Sequence, residues 1–175
     1  MLWWHQSRGR ALALARKKEL HQQWLSTTQQ QQSESVALMV DDYDDDTTNR
    51  HLSPLLICHG MLGSRHNWTS MAKQIHRLTG RRVLTVDARN HGDSPHTEHM
   101  SYPLMAGDIL SLVKDRGLGA RVSLMGHSMG GRTVMMLACM AGHQLQIDRM
   151  VLVDISPVNQ GAKPIIRFEV IRRYL

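Results

Sequence analysis

Four apolar runs of strand length alternate with helical patterns along this 175-residue chain, and the alternation limits the folds open to it. Each run is nearly continuous in apolar residues, which is typical of a parallel sheet covered on both faces. Helices between successive strands predict a doubly wound α/β fold with a mostly parallel sheet. The predicted strands cover residues 54–58, 82–87, 121–125 and 149–156, with a further short strand at 36–40.

The segments between these strands carry helical periodicity. The first helix ends at Gly80, the second spans residues 102–118 with Pro103 in its first turn, and the third spans residues 129–141 and stops at Gly142. The residues that share the apolar face of the first helix are Trp68, Met71, Ala72, Ile75 and Leu78.

Residues 1–32 differ in composition from the rest and form a predicted leader. They are basic, nearly free of acids and helix-permissive, which favours a mitochondrial transit segment and a matrix location. A disordered basic tail or a mistranslated upstream exon would have the same composition. Residues 33–175 then form the single globular unit.

Charge and hydropathy exclude several functional classes. The net charge of +6 is concentrated in the leader, and no basic patch with interleaved aromatic residues indicates nucleic-acid binding. No run approaches the roughly 18 apolar residues of a membrane span. The acidic stretch 41–46 lacks the glycine and final glutamate of a calcium loop, so a solvated loop is expected. Cys58 and Cys139 are expected to be buried free thiols, and no metal site is predicted.

The segment Gly126-His127-Ser128-Met129-Gly130 lies directly after a predicted strand and immediately opens a predicted helix. Such a turn must be very tight, so it would hold Ser128 exposed in a strained conformation, as a nucleophile requires. Glycine at 126 and 130 would allow the helix to approach the strand. The Met129 N–H, at a helix N-terminus, would then point toward a substrate oxyanion.

A second oxyanion donor is expected from the loop after the strand at 54–58, which reads His59-Gly60-Met61-Leu62-Gly63. We nominate the Met61 N–H, because the neighbouring glycines let the backbone approach a substrate. His59 is expected to orient this loop by hydrogen bonding and not to act as a general base. His127 is expected to pack or hydrogen-bond locally.

The loops HGMLGS, DARNHGDSPH and GHSMGG, together with the later segment LVDISPV, resemble the esterase branch of the α/β-hydrolase superfamily, which has mitochondrial and bacterial members. The likeness covers residues ~54–160 without interruption. It implies a serine carboxylic-ester hydrolase without metal or organic cofactor, acting on acyl or lipid esters. It implies Ser128 as nucleophile and the Met61 and Met129 amides as the oxyanion hole.

The chain departs from the family pattern in the residues after Ser128. The triad order in this fold is serine, acid, histidine, but the one later histidine, His143, lies past the third helix, roughly 18 Å from Ser128. Asp148 and Asp154 are the only acids before Glu169, and in the related esterases the counterpart of Asp154 belongs to a structural turn. The upstream His91 and His96 are expected to be polar loop residues.

We therefore expect residues 33–175 to be a partial domain without the final strands, most of the cap, the acid and the base. Such a chain would have marginal stability, an unprotected sheet edge and little activity of its own. The alternative is a non-catalytic short isoform or fragment that binds a lipid or a partner. Perhydrolysis or thioester cleavage would use the same site chemistry.

Overall fold

The structure is a computed structural model that describes residues 34–142 and 144–155. Over these residues the chain forms β1 (Val40–Tyr43), β2 (Leu55–Cys58), a 3₁₀ turn (Arg65–Trp68), α1 (Thr69–Thr79), β3 (Val83–Val86), α2 (Tyr102–Asp115), β4 (Arg121–His127), α3 (Met129–Ala141) and β5 (Gln146–Val153). The strands make one sheet of order β1-β3-β2-β4-β5. Among these described strands, only β1 is antiparallel to its neighbour. The predicted doubly wound, mostly parallel fold is confirmed.

The central strands are buried on both faces, which explains their continuous apolar sequence. Leu56 of β2 belongs to a large core on the side of α2 and α3, which includes Ile109 and Leu137. Its neighbour Leu55 belongs to a smaller core on the side of α1, which includes Ala72. Successive residues of one strand thus fill opposite cores, as the period of two in a strand requires.

The topology creates a crevice between the carboxyl ends of β2 and β4. These strands are direct neighbours, but the helix after β2 covers one face of the sheet and the helix after β4 covers the other. The two chain segments therefore diverge as they leave the sheet. Ligand sites of open α/β sheets lie at such switch points.

The loop after β3, residues 87–101 (the β3 loop), is fixed by two buried ion pairs. Arg89 and Asp108 of α2 form a bidentate pair with N–O distances of 2.6 Å, and both side chains are almost fully buried. Asp87 accepts hydrogen bonds from the Arg65 guanidinium and from the backbone N–H groups of Arg65 and Asp93. Burial would raise the pKa of Asp87, but these donors hold the pKa below its usual value.

The first strand lies later in the chain than predicted. It covers Val40–Tyr43 and not residues 36–40, so Asp41 and Asp42, assigned to a solvated loop, are in β1. Because β1 is an edge strand, it can carry acids that reach cations nearby: Asp41 pairs with Arg65 at 3.0 Å and Asp42 with Arg82 at 2.7 Å. An apolar run alone could not indicate this strand.

The last described strand begins three residues earlier than predicted, at Gln146, and ends at Val153. The prediction missed its start because Gln146 and Asp148 are polar. These residues are tolerated there because β5 pairs only with β4 within the described residues and is largely exposed.

The burial predicted for Cys139 is wrong, and the predicted apolar face of α1 is only partly covered. Met71 and Leu78 of α1 are 45% and 69% exposed, because the helix reaches the sheet mainly through Ala72 and Ile75. Cys139 lies on the exposed side of α3, whereas Cys58 is buried; both are free thiols. Burial raises the pKa of Cys58 to about 12.

In the described ranges, no helix combines the length and hydropathy needed to cross a bilayer. The predicted leader at residues 1–32, His143 and the residues after 155 lie outside the described residues.

Candidate active site

Ser128 occupies the turn between β4 and α3, and it is the one residue between strand and helix. Its backbone has φ +49° and ψ −108°, a conformation that costs a non-glycine residue free energy. The turn is held because the Ser128 N–H donates to the Val153 carbonyl at 3.0 Å and the Ser128 carbonyl accepts from the Arg132 N–H at 3.1 Å. The side chain is half-buried and does not cap the helix. The hydroxyl is therefore left at the sheet edge.

Gly126 and Gly130 allow α3 to begin directly against the sheet. A Cβ on Gly126 would lie 2.6 Å from the Gly130 carbonyl carbon. A Cβ on Gly130 would lie 2.6 Å from the His59 carbonyl oxygen and from the Cys58 carbonyl carbon. Both separations are shorter than van der Waals contact, so any larger side chain would push the helix away from the strands.

The loop after β2, residues 59–64 (the β2 loop), is bonded to the first turn of α3. The Gly130 N–H donates to the His59 carbonyl at 3.1 Å, and the Gly63 N–H donates to the Gly60 carbonyl at 3.1 Å. The half-buried Met61 therefore lies on a tight turn beside the start of α3.

The hydrogen bonds of His59 fix both its tautomer and the orientation of the Met61 amide. Its Nδ1–H donates to the Gly60 carbonyl at 2.7 Å, and its Nε2 accepts from the Ala88 N–H at 3.1 Å. The Gly60 carbonyl and the Met61 N–H belong to one planar trans peptide, so fixing the carbonyl directs the N–H the opposite way. Burial lowers the pKa of His59, which favours the neutral ring. With both nitrogens engaged, His59 has no free nitrogen to act as a base.

The amides of Met61 and Met129 remain available as donors. Neither donates a hydrogen bond to another described residue. Met129 is the first residue of α3, where the helix dipole concentrates positive potential. Backbone N–H groups without a partner, such as the Met129 amide directly after Ser128, are donors of the kind that can stabilise an oxyanion.

His127 forms the wall between the β2 loop and the end of β5. A Cβ on Gly60 would lie 2.9 Å from the His127 Cε1, so Gly60 lets the ring lie directly on the loop. The ring centroid is 6.3 Å from that of Trp68, and Nε2 lies 3.9 Å from an Asp154 carboxylate oxygen. Asp154 is 87% exposed with φ +52° and is not hydrogen-bonded to Ser128.

An open cleft of about 730 Å³ lies beside this wall. Its lining combines apolar side chains from the β2 loop and α1 with a few polar groups. The residues are His59, Gly60, Met61, Leu62, Gly63, Asn67, Trp68, Ser70, Met71, Gln74, His127 and Val153.

Sequence reasoning missed the α1 side of this cleft. Met71 and Trp68 belong to the predicted apolar face of α1, and both line the cleft, where Met71 is half-exposed. The helical period shows that residues share a face, not whether that face covers a core or lines a groove. Gln74 and Asn67, polar residues beside that stripe, are the signal that could have suggested a groove.

No described histidine is hydrogen-bonded to the Ser128 hydroxyl. His91 is buried, donates from Nδ1 to the Arg89 carbonyl at 3.0 Å, and contacts the His59 ring. His96 is exposed in the β3 loop. Over residues 34–142 and 144–155, no group of three or more His, Cys, Asp or Glu side chains could hold a metal ion.

Comparison with known proteins gives consistent matches over the same region. A family model described as the alpha/beta hydrolase fold matches residues 53–169. The sn-1-specific diacylglycerol lipase ABHD11 of Mus musculus is 50% identical over 116 residues, 66% of this chain and 36% of that protein. Esterase YbfF of Escherichia coli is 36% identical over 107 residues, 61% of this chain and 40% of that protein.

A solved marine microorganism esterase superimposes with a TM-score of 0.64 and 33% identity, covering 73% of this chain and 45% of its own. The chain thus spans roughly a third to two fifths of the length of the curated relatives it matches.

Proposed function

Because this chain belongs to the α/β-hydrolase family, which includes esterases and lipases, we propose that it carries the nucleophile and oxyanion hole of a serine carboxylic-ester hydrolase. The observation that carries the proposal is the position of Ser128, held at φ +49° directly before α3 and opposite the β2 loop. A serine in such a turn is exposed to substrate while the helix N-terminus lies beside its hydroxyl.

The proposed reaction begins when the Ser128 oxygen attacks the ester carbonyl carbon and its proton passes to a base. The carbonyl π electrons move to the oxygen, which the Met61 and Met129 N–H groups stabilise. When the tetrahedral intermediate collapses, the bond to the alcohol oxygen breaks and the alcohol leaves with the proton. Water then hydrolyses the acyl-serine by the same route.

We propose that the base and its acid partner come from residues of a longer form of the protein. The family order places both after the serine, and the chain spans only about a third of its mouse relative. Without them, activity should fall by several orders of magnitude, since only binding and the oxyanion hole remain.

The proposed substrates are acyl or lipid esters. The printed name of the mouse relative describes a diacylglycerol lipase. The cleft lined by His127, the residue before Ser128, has the apolar Leu62 and Met71 on its wall. No metal, organic cofactor or nucleic acid enters the proposed reaction. The basic leader at residues 1–32 supports a mitochondrial, matrix location.

Labelling with a fluorophosphonate probe tests the nucleophile. A longer form that contains the later strands should be labelled at Ser128, and the 175-residue chain should be labelled orders of magnitude more slowly. Ser128→Ala should abolish labelling, whereas Ser70→Ala, which removes an exposed serine at the cleft, should retain it.

A longer form that folds but remains unlabelled would overturn the enzymatic proposal. The non-catalytic short isoform or fragment, which binds a lipid or a partner, would then be favoured. A stop codon directly after residue 175 in the transcript would point the same way.

A further inference from the structure

His91 lies in the β3 loop, outside the proposed catalytic groups, and is 1% exposed. Its Nδ1–H donates to the Arg89 carbonyl at 3.0 Å, so the neutral ring presents Nε2 as an acceptor. That Nε2 is buried and has no hydrogen-bond partner among the described residues. A buried acceptor without a partner is less favourable than an apolar ring of the same shape. The shape of the His91 ring, and not its unpaired Nε2, is therefore what contributes to packing at this position.

The ring that His91 contacts is that of His59. The centroids are 5.1 Å apart and the ring planes are tilted by 54°. His59 can keep both its hydrogen bonds, to Gly60 and from Ala88, in only one tautomer and one ring orientation. The His91 ring packs against one side of the His59 ring.

We propose that His91 is a positioning residue: its ring braces His59, and His59 in turn fixes the Gly60–Met61 peptide plane. This chain of contacts joins the β3 loop to the donor that the β2 loop offers a substrate. The proposal rests on the proposed function only for the role of the Met61 amide. The bracing itself is a structural claim that is measured without turnover.

Acid should release this brace. Protonated His59 would present an Nε2–H to the Ala88 N–H, a donor against a donor, and the bridge between the two loops would break. Burial lowers the pKa of both His59 and His91, so the neutral pair is retained at pH 7. The other charged or titratable groups that face the pair are Cys58, Asp87, Arg89, His96, Asp108 and His127.

Nuclear magnetic resonance on the full 175-residue chain tests the brace directly. Long-range ¹H–¹⁵N spectra of the histidine rings report the His59 tautomer, and backbone spectra report the Met61 amide. His91→Phe keeps a ring, so the Nδ1–H tautomer of His59 and the Met61 resonance should be retained. His91→Ala removes the ring, so the His59 tautomer should become mixed and the Met61 signal should shift or broaden. His99→Ala, an exposed histidine of the same loop, is the matched control and should change neither.

The wild-type chain gives a second test that does not depend on the folding of a variant. In an acid titration, the Met61 amide shift should track the ring signals of His59 and His91. The proposal is overturned if His91→Ala folds and leaves the His59 tautomer unchanged, if His91→Phe disrupts it as much as His91→Ala, or if the Met61 amide shift does not follow the His59 and His91 ring signals. None of these outcomes bears on whether Ser128 reacts with a fluorophosphonate.

Discussion

The β2 loop and the β3 loop leave neighbouring strands at the same edge of the sheet, yet different forces hold them. In the β3 loop, Asp87 and Arg89 are bound in buried ion pairs to partners outside the loop. In the β2 loop, neutral hydrogen bonds of His59 and the contact of Gly60 with His127 hold the backbone in place.

The difference shows how one sheet edge can be both rigid and reactive. The buried ion pairs hold the β3 loop in place. They also occupy the charged groups of Asp87 and Arg89, so these groups are not available to bind a ligand. In the β2 loop, His59 donates a hydrogen bond to the carbonyl of the Gly60–Met61 peptide and leaves the N–H of that peptide unbonded. The loop proposed to bind an oxyanion is the one whose own backbone is held by neutral contacts.

The largest expected effect comes from breaking the buried pair of the β3 loop. Asp108→Ala leaves Arg89 charged in a site where its side chain is only 2% exposed. The free energy of unfolding should fall by about 3–5 kcal/mol, because an uncompensated buried charge is strongly unfavourable. Urea unfolding monitored by circular dichroism measures this. A loss below about 1 kcal/mol would mean that the pair does not anchor the loop.

Gly130→Ala should have the next largest effect, on the neutral side of the comparison. The added Cβ meets the Cys58 and His59 carbonyl groups, so α3 must move away from the β2 loop. We expect a loss of about 1–3 kcal/mol in unfolding free energy and a displaced Met61 amide resonance. Gly117→Ala is the control: it has open space and φ +57°, so it should show backbone strain without changing that resonance.

The contacts that hold the β2 loop could largely be predicted from the sequence, because they involve residues of the two loop motifs themselves. An apolar strand with a helix directly after it requires a tight turn, so Gly126 and Gly130 indicated the close approach that the structure has. The role of His59 as a loop-orienting residue was inferred from its place after β2, and both its hydrogen bonds agree with that role. Its catalytic relevance stays a prediction.

The ion pairs that hold the β3 loop could not be predicted, because the paired residues are far apart in the chain. Arg65 and Asp87 are 22 residues apart, and Arg89 and Asp108 are 19 apart. Which charge meets which depends on how β3 and α2 pack, and no spacing rule reports that. The acids of β1 were missed for the same reason, because an edge strand stabilised by distant arginines lacks the apolar pattern of a central strand.

As the pH falls, the stability contributed by the His59–His91 pair should be lost before that contributed by the Asp87 ion pair. The pKa of His59 and of His91 is lowered by burial, so the unfolded chain binds more protons below about pH 6.5, the ordinary histidine pKa. Their contribution to stability is complete above that pH and is lost as the pH falls toward their folded pKa values. The lowered pKa of Asp87 acts only below its ordinary value of 3.8.

Urea midpoints measured between pH 7.5 and pH 5 should therefore decrease with acid. His76 opposes this trend: hydrogen bonding to the Arg81 carbonyl and to Asp45 raises its pKa, so its contribution is present in acid and lost as the pH rises. His76→Gln should make the acid decrease steeper. A midpoint that rises with acid in wild type would contradict the neutral-pair interpretation.

The smallest expected effect comes from an ion pair outside both loops. This pair is exposed to solvent, so comparing it with the buried Arg89–Asp108 pair separates the effect of burial from that of charge. Arg50 pairs with Asp44 at 2.9 Å, but the Arg50 side chain is 64% exposed. Arg50→Ala should change the unfolding free energy by only about 0–1 kcal/mol, since solvent screens the charges and the arginine loses conformational freedom in the pair. The same urea series that measures Asp108→Ala measures it. If the two variants proved equally destabilising, then charge alone, and not its burial beneath the β3 loop, would be what holds this side of the sheet.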